Sequence, residues 1–86
     1  MASFEIRWRK SALKDLKAIR KDQIPDILAA AASLAENPHP ANHKKLVGAE
    51  RTYRIRVGDY RIVYEIFGNV LLIEVIRVGH RKDVYQ

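Results

Sequence analysis

From Ser3 to Trp8 the chain alternates, with Phe4, Ile6 and Trp8 on one side and Glu5 and Arg7 on the other. A period of two predicts a strand with one face buried. The period then lengthens. Ala12, Leu13, Leu16 and Ile19 recur at helical spacing while Lys14, Asp15, Lys17 and Lys21 take the other face, and Ser11 ahead of them reads as an N-cap. From Asp22 onward Ile24, Ile27, Leu28, Ala31, Leu34 and Ala35 repeat that spacing. Pro25 falls in the first turn, where its missing N–H costs little. Two helices so closely joined predict an antiparallel pair with one apolar face, which needs a sheet to cover it.

Asn37-Pro38-His39-Pro40 cannot continue a helix, and the stretch to Glu50 reads as a connection with a short basic patch at Lys44-Lys45. Three strand-like runs follow: Thr52 to Val57, Tyr60 to Phe67 and Val70 to Val78. Gly58-Asp59 and Gly68-Asn69 separate them, and two-residue turns of this kind between alternating runs predict hairpins. The order β-α-α-β-β-β gives a small α+β domain over residues 1–86: an antiparallel meander sheet with a helical hairpin packed on one face.

A two-residue turn at Gly58-Asp59 fixes the hairpin register and sets Val57 opposite Tyr60. Tyr53, Ile55 and Val57 then share the core side with Tyr60, Ile62 and Tyr64, while Arg54, Arg56 and Arg61 share the other. Arg56 falls directly across from Arg61, and like charges so placed destabilise a sheet. The kind of basic residue also changes along the chain. Residues 1–50 carry six Lys and three Arg, residues 51–86 six Arg and one Lys. Arginine's planar fork offers paired donors at a fixed angle and is the better clamp for phosphate oxygens. The alternative is a solvated strand face whose arginines pair loosely with Glu65 or Glu74.

Composition narrows the partners. With 48% hydrophobic and 30% charged residues the chain is in the globular range, and no apolar run approaches the roughly 18 residues of a membrane span. Its start lacks a secretory pattern, so a cytoplasmic protein without membrane association is expected. Without cysteine there are no disulfides, thiolate metal sites or thiol nucleophiles. Sixteen Lys and Arg against ten Asp and Glu leave a net charge of +6, which suits nucleic acid or an acidic protein. His39 and His43 are separated by Pro40, which is incompatible with helical zinc-ligand spacing, and no acidic ligand is near, so no metal is expected. His80 is a candidate acid or base at neutral pH. Trp8 and the tyrosines at 53, 60 and 64 are assigned to the core, whereas Tyr85 stands in a polar tail.

Along nearly its whole length the chain resembles a RelE-type toxin of the RelE/ParE superfamily, the ribosome-dependent mRNA interferases of prokaryotic toxin–antitoxin modules. The carrying residues are Lys45-Leu46-Val47-Gly48, the hairpin from Tyr53-Arg54-Ile55-Arg56 through Gly58-Asp59-Tyr60-Arg61 to Tyr64, and Val78-Gly79-His80-Arg81-Lys82-Asp83-Val84-Tyr85. The resemblance implies mRNA cut in the A site of the 70S ribosome by attack of its own 2′-OH on the neighbouring phosphate. It further implies a cognate RelB-like antitoxin with an acidic or partly disordered segment, and no small-molecule cofactor. By the same resemblance Arg54 and Arg56 align with two basic residues, often lysines, that bind the backbone at the scissile phosphate. Arg61 aligns with the arginine on that phosphate, Arg81 with the residue proposed to protonate the leaving oxygen, and Tyr85 with the proposed base. Lys44 and Lys45 join the substrate-binding set.

The chemistry is consistent with these side chains. Fixed guanidinium groups stabilise the charge that develops on nonbridging oxygens. A tyrosine of ordinary pKa near 10 is scarcely ionised at neutrality, and nearby cations would favour its phenolate. Arginine stays protonated, so electrostatic stabilisation of the leaving oxygen suits Arg81 better than proton donation. Two other readings share the resemblance: a ParE-like inhibitor of DNA gyrase, and a degenerate toxin that binds RNA or ribosomes without cutting.

Overall fold

A computed structural model describes residues 3–80; Arg81 and Tyr85 lie outside the described residues. The elements run β1 (Glu5–Trp8), α1 (Lys10–Leu16), α2 (Ile24–Ser33), β2 (Lys44–Lys45), β3 (Thr52–Val57), β4 (Tyr60–Phe67) and β5 (Leu72–His80). One 3-10 turn, Lys21–Gln23, leads into α2, whose first turn holds Pro25. The α+β class stands, with β3, β4 and β5 as the antiparallel meander. The sheet is larger than the meander, in the order β1-β5-β4-β3-β2. β1 lies parallel to β5, making the sheet mixed, and β2 adds two residues beyond β3.

Both helices cover one face. Ala12, Ile19, Ile27, Ala31 and Leu34 pack against Ile55, Ile62, Tyr64, Ile73, Val75 and Val78. Ile27 and Leu34 are fully buried, and each contributes about 1.5–3 kcal/mol relative to exposure. Trp8, Tyr53 and Tyr60 pack around this cluster, as their alternation predicted.

Ser11 is not the N-cap. The helix opens two residues earlier than that cap would place it, at Lys10, with Arg9 in the capping position and no side-chain cap. Ser11 instead donates its hydroxyl to the Ile76 carbonyl at 2.7 Å, and Asp15 one turn later accepts the Val78 N–H at 2.9 Å. These bonds have a common cause. β1 stops pairing at Trp8, opposite Val75, yet β5 runs on to His80. The backbone groups β1 leaves unpaired on that edge are satisfied by side chains of α1, which also protects the edge from other strands.

The first hairpin forms in the expected register, from Thr52 opposite Glu65 to Val57 opposite Tyr60. Gly58 sits at φ 59, and the turn needs a residue there that tolerates the left-handed region. The second hairpin differs from expectation. Its loop is four residues, 68–71, because Phe67 pairs with Leu72, and Leu71 takes the left-handed conformation at φ 52. The slip relative to a two-residue turn is an even number of residues, so Ile73 and Val75 keep the core side. A bulge then makes Ile76 the extra residue between Val75 and Arg77, opposite Tyr64 and Val63.

Candidate functional site

Strand alternation sets Arg54, Arg56 and Arg61 on the sheet face away from the helices, and pairing brings in a fourth cation. Lys44 of β2 is opposite Arg54, and Arg56 is opposite Arg61. A cleft of about 260 Å³ opens over them, lined by Asn42, Lys44, Arg54, Ile55, Arg56 and Arg61. The sequence-predicted phosphate residues 44, 54, 56 and 61 therefore share one concavity. Lys45 is not among them: it pairs with Tyr53, on the opposite side of its strand from Lys44.

The pairing with Glu65 or Glu74, which would have made these arginines an ordinary solvated face, is not what forms. Arg9 engages both carboxylates, at 2.6 Å to Glu74 and 3.4 Å to Glu65. The Glu74 hydrogen bond holds the Arg9 guanidinium above its ordinary pKa, against the opposing effect of burial. Thr52 also turns its hydroxyl to Glu65, at 3.4 Å. Among the described residues no carboxylate forms an ion pair with Arg54 or Arg56; Arg56 instead donates its Nε to the Gly58 carbonyl at 3.2 Å. Val63, between Arg54 and Arg77 in register, is fully buried although it lies on this outer face.

Asn42 is the lining residue that the sequence did not single out. Its side-chain amide donates to the Arg56 carbonyl at 3.1 Å, taking the place of a strand partner where β2 has not yet begun. A lone loop asparagine carries no periodic signal, so pairing geometry alone reveals it.

Among the described residues that line it, none is a carboxylate, imidazole or phenol. These described side chains are suited to hold and stabilise anionic oxygens. His80 is on the other side of β5, paired with Tyr60 and stacked edge-on against its ring at 5.9 Å. It lines a second cleft of about 290 Å³, with Asp15, Ile19 and Tyr60 among its neighbours there. Gly79 pairs with Arg61, so β5 passes alongside the basic cleft two residues before Arg81. His39 and His43 meet edge-on beside Tyr53, with ring centroids 5.0 Å apart. Among the described residues no group of three or more His, Cys, Asp or Glu is placed to hold a metal ion. No described helix is long and apolar enough to cross a membrane.

Residues 6–85 match the family model described as the ParE toxin of the type II toxin–antitoxin system parDE. Toxin RelE3 of Methanocaldococcus jannaschii is 36% identical, over 94% of each chain. The RelE chain in a RelB–RelE antitoxin–toxin complex from Methanococcus jannaschii is 34% identical, with 92% of this chain and 94% of that one covered and a TM-score of 0.72. The archaeal RelE–RelB complex from Pyrococcus horikoshii contains a chain of the same fold, with a TM-score of 0.82 at 24% identity over 95% and 99% of the two chains.

Proposed function

The chain belongs to the RelE/ParE superfamily of toxins from type II toxin–antitoxin systems, and on that premise we propose that it is a ribosome-dependent, metal-independent endoribonuclease that cleaves mRNA in the A site. The observation that carries this reading is the cleft itself. Three arginines and a lysine converge there with no acidic side chain among the described lining residues, and Arg56 is held opposite Arg61 at a cost in stability. Such an array is suited to a phosphodiester.

In the proposed reaction the substrate's 2′ oxygen attacks the adjacent phosphorus and the P–O5′ bond breaks, giving a 2′,3′-cyclic phosphate and a 5′-OH. Arg61 and Arg56 hold the nonbridging oxygens as their charge grows, while Arg54 and Lys44 bind the flanking backbone. The 2′ proton passes to the Tyr85 phenolate, and the 5′ oxygen takes a proton from water as it leaves, with Arg81 stabilising its negative charge. Both tail roles rest on the sequence resemblance. Arginines and a lysine are weak proton acceptors, so the reaction depends on the substrate being held for in-line attack, and ribosome-bound mRNA meets that need.

The similar solved chains stand in complexes with RelB-type antitoxins, and a RelB-like antitoxin is the proposed partner of this chain. The match to a model named for ParE supports a second reading, inhibition of a DNA topoisomerase through the same face. Tyr85→Phe separates the two. It should abolish cleavage of translated mRNA under the first reading, whereas a topoisomerase inhibitor would keep arresting growth with mRNA intact in both forms.

A further inference from the structure

The two histidines of the connection lie on the helix-covered side of β3, yet the loop they belong to supplies one wall of the basic cleft on the other side. Hydrogen bonds and ring contacts pin that loop. Tyr64 donates its hydroxyl to the Pro38 carbonyl at 2.9 Å. The Nδ1 of His43 is 2.7 Å from the Pro40 carbonyl, which also accepts the His43 backbone N–H at 3.0 Å. Nδ1 of His39 is 3.2 Å from Nε2 of His43, and against Tyr53 the His39 ring lies edge-on at 5.3 Å and the His43 ring tilted at 5.4 Å. The residues on either side of His43 then reach the cleft: Asn42 bonds the Arg56 carbonyl and Lys44 stands opposite Arg54.

The protonation pattern of the pair follows from its acceptors. A carbonyl only accepts, so Nδ1 of His43 carries a proton and its Nε2 is the acceptor for the Nδ1–H of His39. A first added proton goes to the outward Nε2 of His39, leaving the bond intact and charge-assisted. A second must go to the Nε2 of His43, which sets two N–H groups face to face between two cationic rings. Around the pair stand Tyr53 of β3 and, behind it, Tyr64 of β4, whose phenol burial keeps protonated. Lys44 and Lys45 follow His43 in the chain, and Glu36 lies three residues before His39. No ion pair between the two histidines and a carboxylate forms among the described residues to absorb the second charge.

We propose that His39 and His43 are positioning residues of the basic cleft: their hydrogen-bonded pair, in ring contact with Tyr53, holds the 38–43 loop so that Asn42 and Lys44 face the arginines, and protonation of both rings releases it. The proposal rests on the reading of the cleft as a phosphodiester site. It predicts a response to acid opposite to that of electrostatics alone, because protonated histidines on a cationic protein would ordinarily strengthen RNA binding.

The test measures two quantities on the full chain, at about pH 7.5 and at about pH 5. One is backbone amide protection at His43 and Leu46, relative to amides between β4 and β5. The other is the affinity for a fluorescent decauridylate. In wild type, loop protection should fall at least about tenfold at the lower pH, and affinity should fall at least about threefold. In His39→Gln the side-chain amide can turn either its oxygen or its N–H to His43, so both quantities should hold or affinity should rise. His39→Phe, which keeps a ring beside Tyr53 but makes no hydrogen bond to His43, should show weaker loop protection already at the higher pH and little further loss at the lower one. Wild-type protection that is unchanged at pH 5, or that falls equally in both variants, overturns the proposal. So does loop release without loss of affinity. RNA that binds equally well to Arg61→Ala at pH 7.5 would instead defeat the phosphodiester reading, and amide protection alone would then decide whether the pair holds the loop.

Discussion

Replacing Arg56 by glutamate turns the facing Arg56 and Arg61 into a complementary pair and so tests whether function holds them together. Directly opposed charges on a sheet change stability by roughly 0.2–1 kcal/mol, with a sign set by whether they repel or attract. Exchanging repulsion for attraction is therefore worth about 1 kcal/mol at low salt. Arg56 is exposed and its bond to the Gly58 carbonyl is lost, which removes a few tenths of a kcal/mol from the gain. A net gain of roughly 0.5 kcal/mol in a domain of this length raises Tm by about 2–4 °C. Calorimetry at about 20 mM NaCl should show that rise, and about 0.5 M NaCl should shrink it because exposed charges are screened. The same variant should lose at least about tenfold in RNA cleavage, since a phosphate-facing cation has become an anion. A Tm that falls at low salt refutes the claim of stored repulsion. A higher Tm with undiminished cleavage refutes the claim that the arginines are kept for phosphate.

Asp15→Asn should cost about 1.5–3 kcal/mol in urea denaturation, because the carboxylate holds both the Val78 N–H and Arg77 Nε at 2.9 and 2.8 Å; a loss under about 0.5 kcal/mol would show that α1 does not secure the β5 edge. Burial, with a smaller contribution from Tyr53, pushes the Tyr64 phenol well above its ordinary pKa. The folded state then prefers the protonated form, so this stability is intact below about pH 10 and is lost as pH rises past the unfolded value. Tyr64→Phe should be about 1 kcal/mol less stable at pH 7 through loss of the Pro38 bond, yet should lose less stability than wild type between pH 9 and 11. Gly58→Ala should cost about 1 kcal/mol, from the left-handed φ of 59 rather than from crowding, since the nearest atom to an added Cβ is Gln23 Oε1 at 3.4 Å.

The arginine face was legible in the sequence because a tight turn and a period of two are both local. Gly58-Asp59 fixed which residue faces which, and from that the grouping of Arg54, Arg56 and Arg61 followed. What local pattern could not show is which strands border one another. The parallel docking of β1 on β5 and the placing of Lys44 beside Arg54 join residues far apart in the chain, and no periodicity encodes them. Ser11 was misassigned for a related reason: a serine ahead of a helix is an N-cap only if no better acceptor is near, and the unpaired edge of β5 supplies one. The Gly68-Asn69 pair misled because the chain bends two residues further on, at Leu71, a residue type that sequence rules do not assign to a left-handed turn. Asn42 and the His39–His43 pair were hidden in a connection whose role depends on what it packs against.

The central claim is that the basic cleft acts on the RNA backbone while the ribosome presents it. Primer extension on a translated mRNA, with and without ribosomes, compares wild type with Arg61→Ala and tests it most directly. The account predicts cuts at codon positions that require ribosomes, leave 5′-OH ends and disappear in Arg61→Ala. Wild-type protein that arrests growth without cutting mRNA, or cuts that persist unchanged in Arg61→Ala, would contradict it.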